Sequence, residues 1–140
     1  MLASAAIAQK VGSSTCYPSW EAVLAEQDLR GLVVSSPAVT HFELAQAILE
    51  AGKDVLVEKP LAHDPADARA IADAAAGHPD RIVMVGHCER FNRAYLDARR
   101  AVSDGEVGTP RFISASRLSP LRLNNRDWCL GPLDTAVHDI

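Results

Sequence analysis

The chain has 140 residues, 48% hydrophobic and 23% charged, with a formal charge of −4. That is the length and composition of one ordinary globular domain, and its scattered basic residues argue against a nucleic-acid surface or a polybasic membrane patch. No apolar run approaches the ~20 residues of a membrane helix, and the N-terminal MLASAAIAQKV lacks the basic start and long apolar stretch of a secretory signal.

The three cysteines, Cys16, Cys88 and Cys129, are far apart and form no C-x-x-C pair. A disulfide framework or zinc site is not expected; buried free thiols in a reducing cytoplasm are.

In chain order, an Ala-rich helix opens the sequence and 19-SWEAVLAEQ-27 reads as a second helix capped by Ser19. The continuous apolar run 31-GLVVSS-36 before Pro37 predicts a strand buried on both faces. Residues 40-THFELAQAILEAG-52 follow with helical spacing of Phe42, Ala45, Ile48 and Leu49. Thr40 and Glu43 have the spacing of a capping box, and Gly52 suits a left-handed C-terminal position. A strand, 54-DVLVE-58, leads into Lys59 and Pro60. Asp64 before Pro65 then opens a helix whose apolar positions are Ala68, Ile71, Ala72 and Ala75, ending at Gly77. Strand 81-RIVMVG-86 is next, followed by a helix over 92–104 and an alternating segment, 110-PRFISASRLS-119, read as a strand exposed on one face.

Strand, helix, strand, helix, strand with short connections is the pattern of an open, doubly wound parallel sheet. The pattern changes after His87, which puts a domain boundary near Arg90: residues 1–89 form part of one domain and 90–140 begin a second of α+β type. A helix with no stop signal at 134-DTAVHDI-140 suggests a fragment.

Open parallel sheets bind ligands outside the carboxyl ends of their strands. Those ends here are Ser35-Ser36-Pro37, Glu58-Lys59-Pro60 and Gly86-His87. Pro60 restricts Lys59 to extended backbone, which fixes where its side chain starts. Asp134 and His138 lie four apart, on one face of a helix, where a histidine beside a carboxylate can serve as a base near neutral pH. A solvated helix face and a two-ligand metal site are the competing readings of that pair, and a charged strand exit facing solvent is the competing reading of Glu58 and Lys59.

Residues 31–62, 86-GHCERFNRAY-95, 104-DGEVGTPRFISA-115 and 134-DTAVHDI-140 together resemble the Gfo/Idh/MocA family of NAD(P)-dependent sugar and cyclitol oxidoreductases. The likeness implies a partial Rossmann-like domain followed by the start of a substrate domain, with NAD or NADP as cofactor. It implies a sugar, cyclitol or nucleotide-sugar substrate and a homo-oligomeric parent enzyme. Lys59, Asp134 and His138 match the catalytic positions, with Lys59 contacting both nicotinamide ribose and substrate. The Lys59–Pro60 bond is expected to be cis. Ser35, Ser36, Pro37, His41, Glu58 and His87 match cofactor-lining positions, and Arg126 and Trp128 in 117-RLSPLRLNNRDWC-129 join the substrate side. The bland alternative for that segment is a solvated basic loop.

The chain departs from the family in having no G-x-G-x-x-G turn, and in Arg93 standing where R-F-N-P would place proline. Low stability in isolation and no turnover by these residues alone are expected. The alternative function is a non-catalytic binding module of the same fold.

Overall fold

The computed structural model describes residues 2–13 and 15–114. Helix α1 (Leu2–Lys10) and the short α2 (Trp20–Leu24) precede β1 (Gly31–Val34). There follow α3 (His41–Glu50), β2 (Asp54–Val57), α4 (Pro65–Gly77), β3 (Val83–Val85) and α5 (Arg93–Ser103). The strands form one parallel sheet in the order β1-β2-β3.

Local chemistry explains the element ends. The Ser19 hydroxyl accepts from the Ala22 amide at 3.3 Å, and the Asp64 carboxylate from Ala66 at 2.7 Å, each satisfying an amide that the first helical turn leaves without a partner. Gly52 stops α3 with φ at +69°, a conformation in which a Cβ would clash with the backbone. The Thr40–Glu43 capping box does not form. Residues Ala38–Thr40 make a 3-10 turn instead, and the Thr40 hydroxyl donates to the Pro37 carbonyl at 2.8 Å while sharing a 2.6 Å hydrogen bond with Ser36 Oγ. The group expected to cap α3 is thus engaged by the turn before it.

The core lies between the sheet and α3, with α4 beside it: Val34, Val55 and Val57 meet Ala45, Ile48 and Leu49, and Ile71 joins from α4. The expectation of a strand buried on both faces is overturned. Val33 is 67% exposed and Met84 37%, and both lie with Leu56 across the other face. Two successive crossovers that step the same way along a sheet put both their helices on one side, so β1-α3-β2-α4-β3 covers one face only. Other corrections are local. Ala72 is exposed, and Ala74 packs on the core in its place. Cys16 and Cys88 are exposed rather than buried. Residues 110–114 carry no strand, and 115–119 lie outside the described residues. No described helix is long and apolar enough to cross a membrane.

Candidate functional site

The sheet's register brings the three expected ligand-facing ends level. Val34, Val57 and Val85 are partners across the strands, so Ser35, Glu58 and Gly86 stand abreast one residue further on. Two hydrogen bonds close this row: the Glu58 amide donates to Val34 O and the Gly86 amide to Val57 O, both at 2.8 Å. Ser35 and Pro37 are exposed, and Ser36, Glu58, Lys59 and His87 are half-buried. Buried β-branched side chains hold the strand below, so the charged pair sits on a rigid base at the mouth of the sheet.

The turn that carries Lys59 is held from two sides. On the β3 side, Glu58 Oε2 accepts from the Lys59 amide at 3.2 Å, which pins the carboxylate back over its own turn. It lies against Gly86, where an added Cβ would come within 3.2 Å of the Glu58 carboxyl carbon and Oε2. A side chain there would crowd the carboxylate, which would have to give by a few tenths of an ångström. On the α3 side, His41 Nδ1 lies 2.9 Å from the Pro60 carbonyl oxygen. The Lys59–Pro60 bond is cis, as expected.

His41 was expected among the cofactor-lining residues. It is only 1% exposed, and its second nitrogen, Nε2, lies 2.9 Å from the Ser36 carbonyl. Both ring nitrogens are therefore engaged with backbone, and neither is presented to the strand-end surface. The signal was in the sequence: His41 precedes Ala45 by four and Ile48 by seven, the spacing of the buried face of α3. Gly86 and the two-sided hold on the turn carry no such signal, because they depend on β3 lying next to β2 and on α3 lying against the turn.

An open hollow of about 440 Å³ runs along the outer side of β1 as far as Ser35 and Ser36, walled by Trp20, Leu24, Leu44 and Ile48. Among the described residues, no three His, Cys, Asp or Glu side chains come together as metal ligands. Arg126, Trp128, Asp134 and His138 lie outside the described residues.

Residues 2–87 match the model of the oxidoreductase family with an NAD-binding Rossmann fold, Gfo/Idh/MocA. The chain is 34% identical to an inositol 2-dehydrogenase of Saccharopolyspora erythraea over 137 residues, which is 98% of this chain and 40% of that protein. It superposes on an oxidoreductase domain protein from Kribbella flavida with a TM-score of 0.72 at 43% identity, covering 74% of this chain and 28% of that one. A levoglucosan dehydrogenase solved with NADH and levoglucosan gives a TM-score of 0.69 at 30% identity, covering 75% and 28%. With its parallel sheet, its level strand ends and its Glu58-Lys59-Pro60 turn, the chain belongs to the Gfo/Idh/MocA oxidoreductase family.

Proposed function

We propose that the whole protein oxidises a secondary hydroxyl of a cyclitol or sugar with NAD or NADP, and that this chain supplies the nicotinamide side of the cofactor site and the catalytic lysine. The observation that carries the reading is the Glu58-Lys59-Pro60 turn, held at the mouth of the sheet beside Ser35 and Ser36 in a chain of this family. The named relatives act on inositol and levoglucosan, which favours a small polyol over the nucleotide-sugar that the resemblance also implies.

The residues present fit one half of a dinucleotide. The Ser35 hydroxyl and the Lys59 ammonium are donors at level strand ends, where such cofactors lie across a parallel sheet, and Ser36 Oγ, whose proton goes to Thr40, can accept there. None of the eight glycines falls in a G-x-G-x-x-G turn, so these residues offer no pyrophosphate cradle. When bound, the nicotinamide accepts the hydride from the substrate carbon.

The chain's own residues handle the proton and the charge. His138 takes the hydroxyl proton, oriented by Asp134, and the Lys59 ammonium hydrogen-bonds the same oxygen as negative charge develops on it. Carbinol plus oxidised cofactor thus gives ketone, reduced cofactor and a proton. Arg126 and Trp128 join the substrate side. Residues 1–89 belong to the cofactor domain and 90–140 begin the substrate domain, in an enzyme that works as a homo-oligomer in the cytoplasm.

The test is turnover of inositol and a panel of free sugars with NAD and with NADP, for wild type and Lys59→Ala. The variant is expected to lose about 10²–10³-fold in kcat, the usual consequence of removing one charge-stabilising donor. Wild-type-like turnover by the variant would remove Lys59 from the chemistry.

A further inference from the structure

Counting protons assigns the hydroxyls at the end of β1. Thr40 Oγ1 lies 2.8 Å from the Pro37 carbonyl oxygen and 2.6 Å from Ser36 Oγ. A carbonyl oxygen only accepts, and a threonine hydroxyl has one proton, so that proton goes to Pro37. The contact with Ser36 is then a hydrogen bond only if Ser36 donates. The opposite order would set lone pairs of Thr40 against those of Pro37 at 2.8 Å. Neutral groups satisfy both contacts, with no charge and no titration involved.

The order fixes what Ser36 can offer. Its proton is committed to Thr40, and among the described residues no group donates to its Oγ, so the oxygen is left with two lone pairs. Ser36 is half-buried and, with Ser35, closes the hollow along β1 at the carboxyl end of the strand. An ionised phosphate oxygen set against Ser36 Oγ would bring lone pair against lone pair. A hydroxyl or an amide N–H would be accepted.

We propose that Ser36 accepts a hydrogen bond from a neutral donor on the nicotinamide half of the cofactor, a ribose hydroxyl or the carboxamide N–H₂, and that Thr40 is the positioning residue that makes Ser36 an acceptor. The proposal rests on the reading of these strand ends as the nicotinamide side of the cofactor site; the order of the hydroxyls does not. Thr40 acts only through Ser36, by taking the proton that Ser36 would otherwise turn toward the ligand. The acceptor is thus aimed before the ligand arrives, and binding need not immobilise a free rotor.

Two experiments decide it. Neutron diffraction from a deuterium-exchanged crystal of the chain locates the hydroxyls and needs no substitution. The Ser36 deuterium is expected on the line to Thr40 Oγ1, and the Thr40 deuterium on the line to the Pro37 oxygen. A Ser36 deuterium turned elsewhere would overturn the order. The second experiment measures NADH and NADPH affinity by fluorescence, per folded chain, in a form of the protein that binds cofactor, whether this chain or a longer product. Ser36→Ala is expected to weaken binding about three- to tenfold, the range of one neutral hydrogen bond. Thr40→Val should weaken it less, and Thr40→Ser, which keeps the hydroxyl, should match wild type. In the Ser36→Ala background, Thr40→Val should cost nothing further. A merely structural Thr40 would weaken binding equally in both backgrounds, and that result would overturn the positioning role. The reduced 3-acetylpyridine analogue of the cofactor, which lacks the carboxamide N–H₂, separates the two donors. With it the Ser36→Ala penalty disappears if the carboxamide is the donor and persists if a ribose hydroxyl is. Unchanged affinity in Ser36→Ala, or inorganic pyrophosphate competing less well against that variant than against wild type, would overturn the acceptor role. If wild type bound neither cofactor, the proposed function would fail and the ligand half with it, while the neutron map would still decide the order of the hydroxyls.

Discussion

β2 lies between two lysines, Lys53 just before it and Lys59 two residues beyond it, and they are held in different ways. At the amino end, Lys53 is 6% exposed and its Nζ donates to Glu26 O and Leu29 O, both at 2.7 Å. Arg81 donates to Gly52 O at 2.9 Å nearby, and Asp54 Oδ1 accepts from the Ile82 amide at 2.9 Å. Charged side chains at this end take up main-chain groups of the connections between strands. At the carboxyl end, the lysine is instead half-buried, and main chain and neighbours are arranged to hold its backbone. Lys53 serves stability at one end of the strand, and Lys59 at the other is the residue we propose for the chemistry. At Lys53 main-chain carbonyls hold the ammonium, and at Lys59 the turn around it holds the backbone.

Four substitutions or titrations bear on that contrast. The largest effect belongs to Lys59→Ala, with the 10²–10³-fold fall in kcat given above and a smaller loss of folding stability than the change at Lys53. Lys53→Met should be the mirror image. It removes two charge-assisted hydrogen bonds and leaves two carbonyls without their donors, which lowers stability by about 2–4 kcal/mol in urea unfolding. Cofactor binding by the folded fraction should be unchanged. If Lys53→Met lost activity at full stability, the division of roles between the two ends would be wrong.

Asp64→Ala comes next. It deletes the N-cap of α4 just beyond the Lys59-Pro60 turn and should lower stability by about 1 kcal/mol, read as a shift in the denaturation midpoint with unchanged slope. Last is Tyr17, whose hydroxyl donates to Glu26 Oε2 at 2.9 Å at the amino end. That hydrogen bond, with some burial and the carboxylate's charge, holds the phenol's pKa above its ordinary 10.0. The folded state keeps this proton more tightly than the unfolded one, so the contribution is present below pH ~10 and is lost as pH rises through the folded pKa. Ultraviolet titration should show the raised midpoint falling back in Glu26→Gln.

Much of this was legible in the sequence because it is local. Asp64 before Pro65, Gly52 after Leu49 and the apolar spacing of α3 each report a backbone requirement within a few residues, and all three hold. In α5, Arg93 stands where the family pattern has a proline at the first helical position. Asn92 caps it all the same, accepting from the Ala94 amide at 3.0 Å, and Arg93 pairs with Asp97 at 2.9 Å. What was not legible depends on distant residues. Thr40 has the right partner three residues on for a capping box, but Ser36 and Pro37 reach its hydroxyl first. Val33 has the composition of a buried strand, yet its exposure is set by which side the crossovers take. Of the candidate site, the three strand ends could be read from the chain, while the hold of Gly86 and His41 on the turn requires elements 19 to 28 residues apart to meet.

The alignment of Val34, Val57 and Val85 also acts as a reading frame. Side chains on a strand alternate between faces, so sliding β2 by one residue would take Val55 and Val57 out of the core and put Leu56 in their place. The same slip would exchange Glu58 and Lys59 at the mouth of the sheet. One valine pattern therefore sets both what is buried and which charge stands level with Ser35 and Gly86. A single inserted residue in β2 would scramble the chemistry and the packing together, whereas one inserted after Ala62 would leave that frame intact.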